Sequence, residues 1–392
     1  MPPREKARHF RSSSRSDSRH PSPQLSVLAL EEAETLQQRA ERKRGREAVS
    51  AYEQAASRFR RALDLQQRSP LRFERHCDAY FGLAEVLQKW AEAVLAVCRT
   101  LPDADLTRDV EQQASNAAQP LFRQSVEAYQ QVRTGMQEMR ADAAVNSGNT
   151  LAAWAELLPA GAAVQMLASA QKAYEAALTQ EEDAATWGNR ADALVRQAEL
   201  LAEVTPAQLG ENAVGQSFAE ALQAYEKACS MTSSEQGDDL PGLLHNWGVG
   251  LRSMADLQQD AEAACNMYAL AVQKLQASIQ FVRGDVAPHN AVGDAHVSWA
   301  ERLPDSDAMQ HLHLALDQGY QGALHISASC SEALLGVGEV HSKMGKLCLQ
   351  NMPNDADLHF QESATAYKRA LRFPETLGSF QDRGNKVSVY MT

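Results

Sequence analysis

The sequence predicts an all-α protein, folded as a solenoid of antiparallel helix pairs, and three observations support this prediction. Apolar residues recur three and four positions apart from about Leu28 onward, which is the spacing of amphipathic helices, and no alternating β-branched run appears. Turn signals such as Ser69-Pro70, Pro159-Ala160-Gly161 and Gly284-Asp285 separate the helices. Two motifs of small residues alternate along the chain, which is typical of a repeat array.

The composition of the 392-residue chain is sufficient for a large folded core, with 44% hydrophobic and 22% charged residues. The 38 basic and 50 acidic residues give a formal net charge of −12, which disfavours broad binding to nucleic acid because phosphate contacts need a positive face. No apolar stretch continues without interruption for about twenty residues, so we expect no membrane span.

Residues 1–27 differ in composition from the rest of the chain. Six basic residues face two acidic ones among many serines, a net charge of roughly +4. Such a segment buries too little apolar surface to offset its ordering entropy, so we expect a disordered tail. The expected location is cytoplasmic, with plastid or mitochondrion as the alternative if residues 1–27 are a transit peptide.

The first motif places two small residues seven positions apart, and a large or long residue precedes the second of them. Residues seven apart share one helix face, where two small side chains let a neighbouring helix approach closely. The pairs are Ala84/Ala91, Gly148/Ala155, Ala191/Ala198, Gly248/Ala255, Gly293/Ala300 and Gly338/Gly345.

The second motif places an aromatic residue or Leu between two small residues, at offsets of four and three. These offsets put all three side chains on one helical stripe, so we expect each ring to pack in the core rather than to stack on a ligand. The best examples are Ala170/Tyr174/Ala177, Ala221/Tyr225/Ala228, Ala271/Leu275/Ser278 and Ser363/Tyr367/Ala370, with Leu316/Tyr320/Ala323 as a weaker case.

Together the two motifs resemble the tetratricopeptide repeat (TPR), a helix-turn-helix unit that stacks into a superhelix. Asn146-Ser147-Gly148-Asn149 is similar to the first-helix signature of that family, and the stripes centred on Tyr174 and Tyr225 are similar to its second-helix signature. The resemblance implies about six TPR-like helix pairs over residues 71–374. An N-terminal helical cap at 28–70 would precede them, and a C-terminal tail at 375–392 would follow.

The sequence contains no recognisable catalytic or metal-binding motif. No P-loop, dinucleotide fingerprint or nucleophile elbow is present, so we expect no enzyme activity and no cofactor. The six cysteines lie far apart and form no CxxC pair. The closest histidines, His311 and His313, are two residues apart and would point to different sides of a helix. We therefore expect no metal site.

In the resembled family the first helix of each pair lines a concave groove, and the positions around its small residue contact the ligand. An Asn amide there can both donate to and accept from the backbone of an extended peptide, and acidic residues would favour a basic one. A neighbouring helix is the alternative partner for these amides. The predicted groove residues are Asn146, Asn149, Asn189, Asp192, Asn246, Asp294 and Glu339.

The function that we predict is a non-catalytic scaffold or adaptor that binds other proteins. A helical regulatory subunit or assembly factor of a larger complex is the alternative. An RNA-binding helical repeat is less favoured, because the predicted groove columns carry acids and no Lys or Arg.

Overall fold

The structure, a computed structural model, describes residues 23–67, 74–99, 108–134, 139–204, 212–232, 240–349 and 351–373. Every regular element in these ranges is a helix, and the ranges contain no strand. The helices are α1 (Pro23–Glu41), α2 (Gly45–Gln67), α3 (Glu74–Arg99), α4 (Arg108–Thr134), α5 (Arg140–Ala155), α6 (Ala160–Leu178), α7 (Ala184–Val204), α8 (Asn212–Met231), α9 (Leu240–Leu257), α10 (Ala261–Phe281), α11 (Val286–Ala300), α12 (Asp305–Leu314), α13 (Gln321–Ile326), α14 (Ser331–Cys348) and α15 (Pro353–Ala370).

Consecutive helices pack as antiparallel pairs. The most extensive contacts join α1 with α2, α3 with α4, α5 with α6, α7 with α8, α9 with α10, and α14 with α15. Helix α11 packs against α12 and α13, which a π-helical segment at Ala315–Tyr320 joins into one continuous helix. The predicted all-α solenoid of helix pairs is confirmed.

The first helices of successive pairs form one layer of the solenoid. These first helices are α1, α3, α5, α7, α9, α11 and α14. Each of them contacts the next in this order, and the contacts from α7 to α14 are the closest. Among the described residues the second helices make no comparable contact with one another. A stack is tighter on the inside of its curve, so this difference places the first helices on the inner side.

The small residues of the first motif are the points where helices approach most closely. A Cβ atom added to Gly148 would lie 2.5 Å from the ring of Tyr174, and one added to Gly338 would lie 2.6 Å from the ring of Tyr367. Gly248 holds Leu275 in the same way. In each case the large residue comes from the second helix of the same pair. The later small residues are buried as well, namely Ala155, Ala255 and Ala300.

The π-helical segment brings the weaker second motif into the same geometry. Gly319 lies so close to α11 that an added Cβ would be 2.4 Å from the backbone nitrogen of Gly293. The ring of Tyr320 then fills the space beside Gly293 and Gly336. A π-helical turn contains an extra residue, and it shifts the phase of the helix so that Gly319 and Tyr320 both face the first-helix layer.

The first helix begins before the predicted end of the N-terminal tail. Helix α1 begins at Pro23, inside the segment 1–27 that the composition assigned to a tail, because Ser26, Ala29 and Leu30 pack into the α1/α2 pair. Residues 1–22 and the predicted C-terminal tail 375–392 lie outside the described residues. None of the helices described by the structure is both long and apolar enough to cross a membrane.

Candidate functional site

The interface between α5 and α7 contains a hydrogen-bonded network that involves three predicted residues. The Tyr174 hydroxyl, on α6, donates to Oδ1 of Asn149 at 2.9 Å. The Asn189 amide on α7 donates to the same oxygen at 3.2 Å. Tyr174 therefore holds the side chain of Asn149 on the first helix of its own pair. Asn189, on the first helix of the next pair, completes the contact.

The next interface, between α7 and α9, repeats this arrangement with a carboxylate at its centre. The Tyr225 hydroxyl donates to Oδ1 of Asp192 at 2.5 Å, and the Asn246 amide donates to Oδ2 at 2.8 Å. Burial raises the pKa of Asp192, while the two hydrogen bonds act in the opposite direction. Burial and the negative charge of Asp192 together raise the pKa of Tyr225, so the tyrosine stays a neutral donor.

Two further interfaces differ from these networks in the residues at their centres. Between α9 and α11 the ring position is Leu275, and Val249 and Ala291 pack beside it in an apolar contact. The Tyr320 hydroxyl, in the π-helical segment, donates to Asp294 on α11 at 2.7 Å. Arg252 of α9 forms an ion pair with the same carboxylate at 3.3 Å. From α5 to α11 a polar centre thus accompanies a tyrosine and an apolar centre accompanies leucine, whereas Tyr129 of α4 has no such polar centre among the described residues.

The structure therefore brings together most of the predicted groove residues, but largely by bonding them to neighbouring helices. Asp294 has an ion pair with Arg252 of α9, whereas Glu339 pairs with Lys343 on its own helix α14 at 3.7 Å. The side chain of Asn146 makes no hydrogen bond to the described residues and is half-buried. Asn149, Asn189 and Asn246 each use one amide atom in the networks and keep the other available to a ligand.

A groove continues the α7–α9 network toward the C-terminal ends of these two helices. It has a volume of about 300 Å³. Its residues lie 4, 7, 10 and 11 positions after Asp192 and 7, 10 and 11 positions after Asn246, so they continue the same side of the first-helix face. The residues that line it are Arg196, Glu199, Ala202, Glu203, Ser253, Asp256 and Leu257.

Carboxylates outnumber cations in this groove. Arg196 forms ion pairs with Glu156 at 3.0 Å and with Glu199 at 3.1 Å, so its charge is balanced on both sides. Asp256 accepts a hydrogen bond from Tyr268 at 2.5 Å and is otherwise exposed. Glu203 is exposed and has no partner among the described residues. Arg302 donates to the backbone oxygen of Asp256, so the uncompensated negative charge of the groove is centred on Glu203.

Sequence reasoning identified the amide and carboxylate columns but missed their link to the tyrosines and missed the groove. From α5 to α11 a usable signal was present, because there the ring residue, the residue after the first small residue and the corresponding residue of the next unit change together. The two polar sets are Tyr174/Asn149/Asn189 and Tyr225/Asp192/Asn246, and the apolar set is Leu275/Val249/Ala291. The groove residues Glu199, Glu203 and Asp256 carry no comparable pattern.

Comparison with known proteins finds similar chains among solved structures. No family profile matches the chain, and no curated protein matches it. Among solved structures, the nuclear import adaptor Nro1 of S. pombe has a TM-score of 0.45 at 14% identity, covering 83% of this chain and 99% of that one. Yeast Tom70 has a TM-score of 0.33 at 14% identity, covering 86% of this chain and 60% of that one.

A circular tandem repeat protein is also similar, with a TM-score of 0.33 at 15% identity, covering 91% of this chain and 84% of that one. All three TM-scores lie below 0.5, so the description of the fold rests on the chain's own helices. Those helices define the class, an all-α solenoid of stacked helix pairs.

Proposed function

We propose that the protein is a non-catalytic adaptor of TPR-like type, whose first-helix face binds an extended, basic segment of a partner protein across α5, α7 and α9. The observation that carries this proposal is the groove between α7 and α9, a concavity on the inner layer whose lining includes three carboxylates and one arginine. A groove of this size is large enough to accept a Lys or Arg side chain of a partner protein.

The amides beside the groove support an extended ligand. Asn149, Asn189 and Asn246 are held by the interface networks, so little side-chain entropy is lost when a ligand binds to their free atoms. Together they offer N–H donors and C=O acceptors on three neighbouring first helices. An extended peptide backbone presents the complementary groups at regular spacing.

The charge of the face supports a basic partner. Asp78 and Asp142 are exposed on α3 and α5 without an ion-pair partner among the described residues, and Glu203 is exposed on α7. Carboxylates on one concave surface reinforce one another, which steers and holds a cation most strongly at low salt. The ion pairs of Asp294 and Glu339 restrict this acidic part of the face to α3–α9.

Charge reversal of Glu203 tests the proposal directly. Proteins are captured from cells that contain the protein natively, using the full chain, Glu203→Lys and the control Glu226→Lys. Both variants change the net charge equally, but Glu226 is exposed on the second helix α8. We expect partners bound by the wild type and by Glu226→Lys to be lost with Glu203→Lys. Retention of the same partners by all three proteins would refute binding at this groove.

A further inference from the structure

Two histidine pairs lie in the C-terminal part of the solenoid, and one of them is accessible. His341 on α14 and His359 on α15 face each other with their Nδ1 atoms 3.1 Å apart. Both imidazoles are half-buried. The two residues are 18 positions apart in the chain, so spacing in the sequence gives no sign that they meet.

This separation is close to that of two nitrogens bound to one metal ion. Zn–N bonds of about 2.05 Å at a tetrahedral angle place two nitrogens about 3.3 Å apart, and a right angle places them about 2.9 Å apart. The observed 3.1 Å lies between these values. An ion bound to both nitrogens would lie to one side of the line that joins them, so both rings would have to turn toward it as the shared proton leaves.

We propose that His341 and His359 form a two-imidazole binding site for a borderline divalent ion of the Zn²⁺ type. Imidazole nitrogen is a preferred ligand of such ions, whereas Mg²⁺ and Ca²⁺ prefer oxygen. Among the described residues no group of three ligands is already in coordinating positions, so water completes the coordination. The electrostatic neighbours of His341 include Glu362, one turn beyond His359, and His313 on α12.

The second histidine pair provides an internal contrast. The Nδ1 atoms of His296 and His311 are 3.0 Å apart, which is nearly the same distance. His296, however, is only 3% exposed and lies parallel to the ring of Trp299. Water therefore has little access to His296, although His311 is half-buried, and we expect this pair to stay hydrogen-bonded.

Metal binding at His341 and His359 would join the two helices of the last pair. A ligand that binds only the folded state raises its stability, and both ligands here belong to elements that separate on unfolding. The ion is therefore expected to raise the melting temperature of the protein as well as to bind to it.

Calorimetric titration of the full chain with ZnCl₂ at pH 7.5, in a buffer that does not chelate metals, tests the site. We expect one saturable site in the wild type, weakened about tenfold or more in His341→Gln and in His359→Gln. His325→Gln is the matched control, because it removes an exposed imidazole of α13. It should bind Zn²⁺ like the wild type, and MgCl₂ should give no comparable heat.

Absence of a saturable site in the wild type would overturn the proposal, as would equal binding by His341→Gln, His359→Gln and His325→Gln. Circular dichroism of each variant shows whether it is folded. If both ligand variants have lost their helices, the test is the effect of Zn²⁺ on the NMR signals of the histidine rings in the wild type. A Zn²⁺-dependent change at Nδ1 of His341 and His359 supports the site, and unchanged signals overturn it.

Discussion

At the scale of single residues, glycine and tyrosine determine how the helices of a pair meet. Each glycine of the first motif leaves space that a large side chain from the second helix fills, as Leu275 does beside Gly248. A glycine within a helix costs roughly 1 kcal/mol relative to alanine, so its presence there is offset by the close packing that it permits. The same pairs of residues were visible in the sequence as two alternating motifs.

Replacing Gly248 tests this packing. An added Cβ would lie 2.6 Å from Cγ of Leu275 and 3.1 Å from the backbone oxygen of Ala271. We expect Gly248→Leu to lower the free energy of unfolding by about 1 to 3 kcal/mol through overpacking, measured by chemical denaturation. Gly242→Ala on the same helix is the control, since no atom lies within 4 Å of its added Cβ. If both variants were equally stable, Gly248 would not be a packing position.

The buried histidine His296 makes stability depend on pH. Burial, followed by the proximity of His311, lowers the pKa of His296 from 6.5 to about 4. A base with a lowered pKa in the folded state takes up its proton more readily when unfolded. The contribution of neutral His296 to the free energy of unfolding is therefore fully present above pH 6.5. It is lost as the pH falls toward 4, by up to about 3 kcal/mol.

The variant His296→Gln isolates this contribution, because glutamine does not titrate. Denaturation measured between pH 7 and pH 4 should show a weaker loss of stability in the variant than in the wild type. The facing group His311 also has a lowered pKa, caused by burial and opposed by Asp307, so part of the pH dependence should persist in the variant. Identical pH profiles for the two proteins would contradict the assignment.

At the scale of helices, the interface networks join one pair to the next. The Tyr225 hydroxyl donates to a carboxylate on α7 that also accepts from α9, so this one hydroxyl supports contacts among three helices. We expect Tyr225→Phe to cost about 1.5 to 3 kcal/mol, the usual range for a hydrogen bond to a charged group. Chemical denaturation of the variant measures this loss.

Tyr129→Phe is the matched control for this loss. Tyr129 occupies the corresponding position of α4 and is buried, but its hydroxyl makes no hydrogen bond to the described residues. Removal of that hydroxyl should change stability by much less. Equal losses for the two variants would show that burial of the hydroxyl, rather than the network, determines the cost.

The helices themselves could largely be predicted from the sequence, because their periodicity and turn residues are local signals. Three features depended on tertiary contacts and could not. Helix α1 begins at Pro23 because its residues pack on α2, and α4 continues through Pro120, which local rules would place at a break. The π-helical segment at Ala315–Tyr320 follows from the close approach of Gly319 to α11.

The candidate site was less predictable than the fold. The columns of Asn149, Asn189 and Asp192 follow from the repeat register, so the sequence placed them on one face. Whether an amide bonds to a ligand or to a neighbouring helix depends on distances that no spacing rule contains. The groove and the His341/His359 pair likewise require the positions of two helices at once.

At the scale of the whole molecule, each pair contacts mainly its neighbours, so stability should be distributed along the stack. Removing the last pair, from residue 329 onward, should destabilise the remaining chain without abolishing its folding. Far-ultraviolet circular dichroism should still show a helical spectrum and a cooperative thermal transition at a lower temperature. Complete loss of helix on this truncation would indicate a single globular bundle instead.

The binding of a basic segment to the first-helix face is the central claim, and the chain's own residues 1–22 provide a suitable probe. They carry six basic and two acidic residues. A labelled peptide of this sequence is titrated by fluorescence anisotropy against a chain that begins at Pro23, at low and at physiological salt. We expect a dissociation constant on the order of micromolar at low salt, or about −8 kcal/mol, and weaker binding as salt is added.

The groove variants test whether this binding occurs at the groove between α7 and α9. Titration of the same peptide against chains beginning at Pro23 with Glu203→Lys or Glu226→Lys is the most direct measurement. We expect Glu203→Lys to weaken binding at least about fivefold and Glu226→Lys to leave it nearly unchanged. Of these two residues, only Glu203 lines the groove. Absence of binding at low salt, or equal binding by both variants, would contradict this expectation.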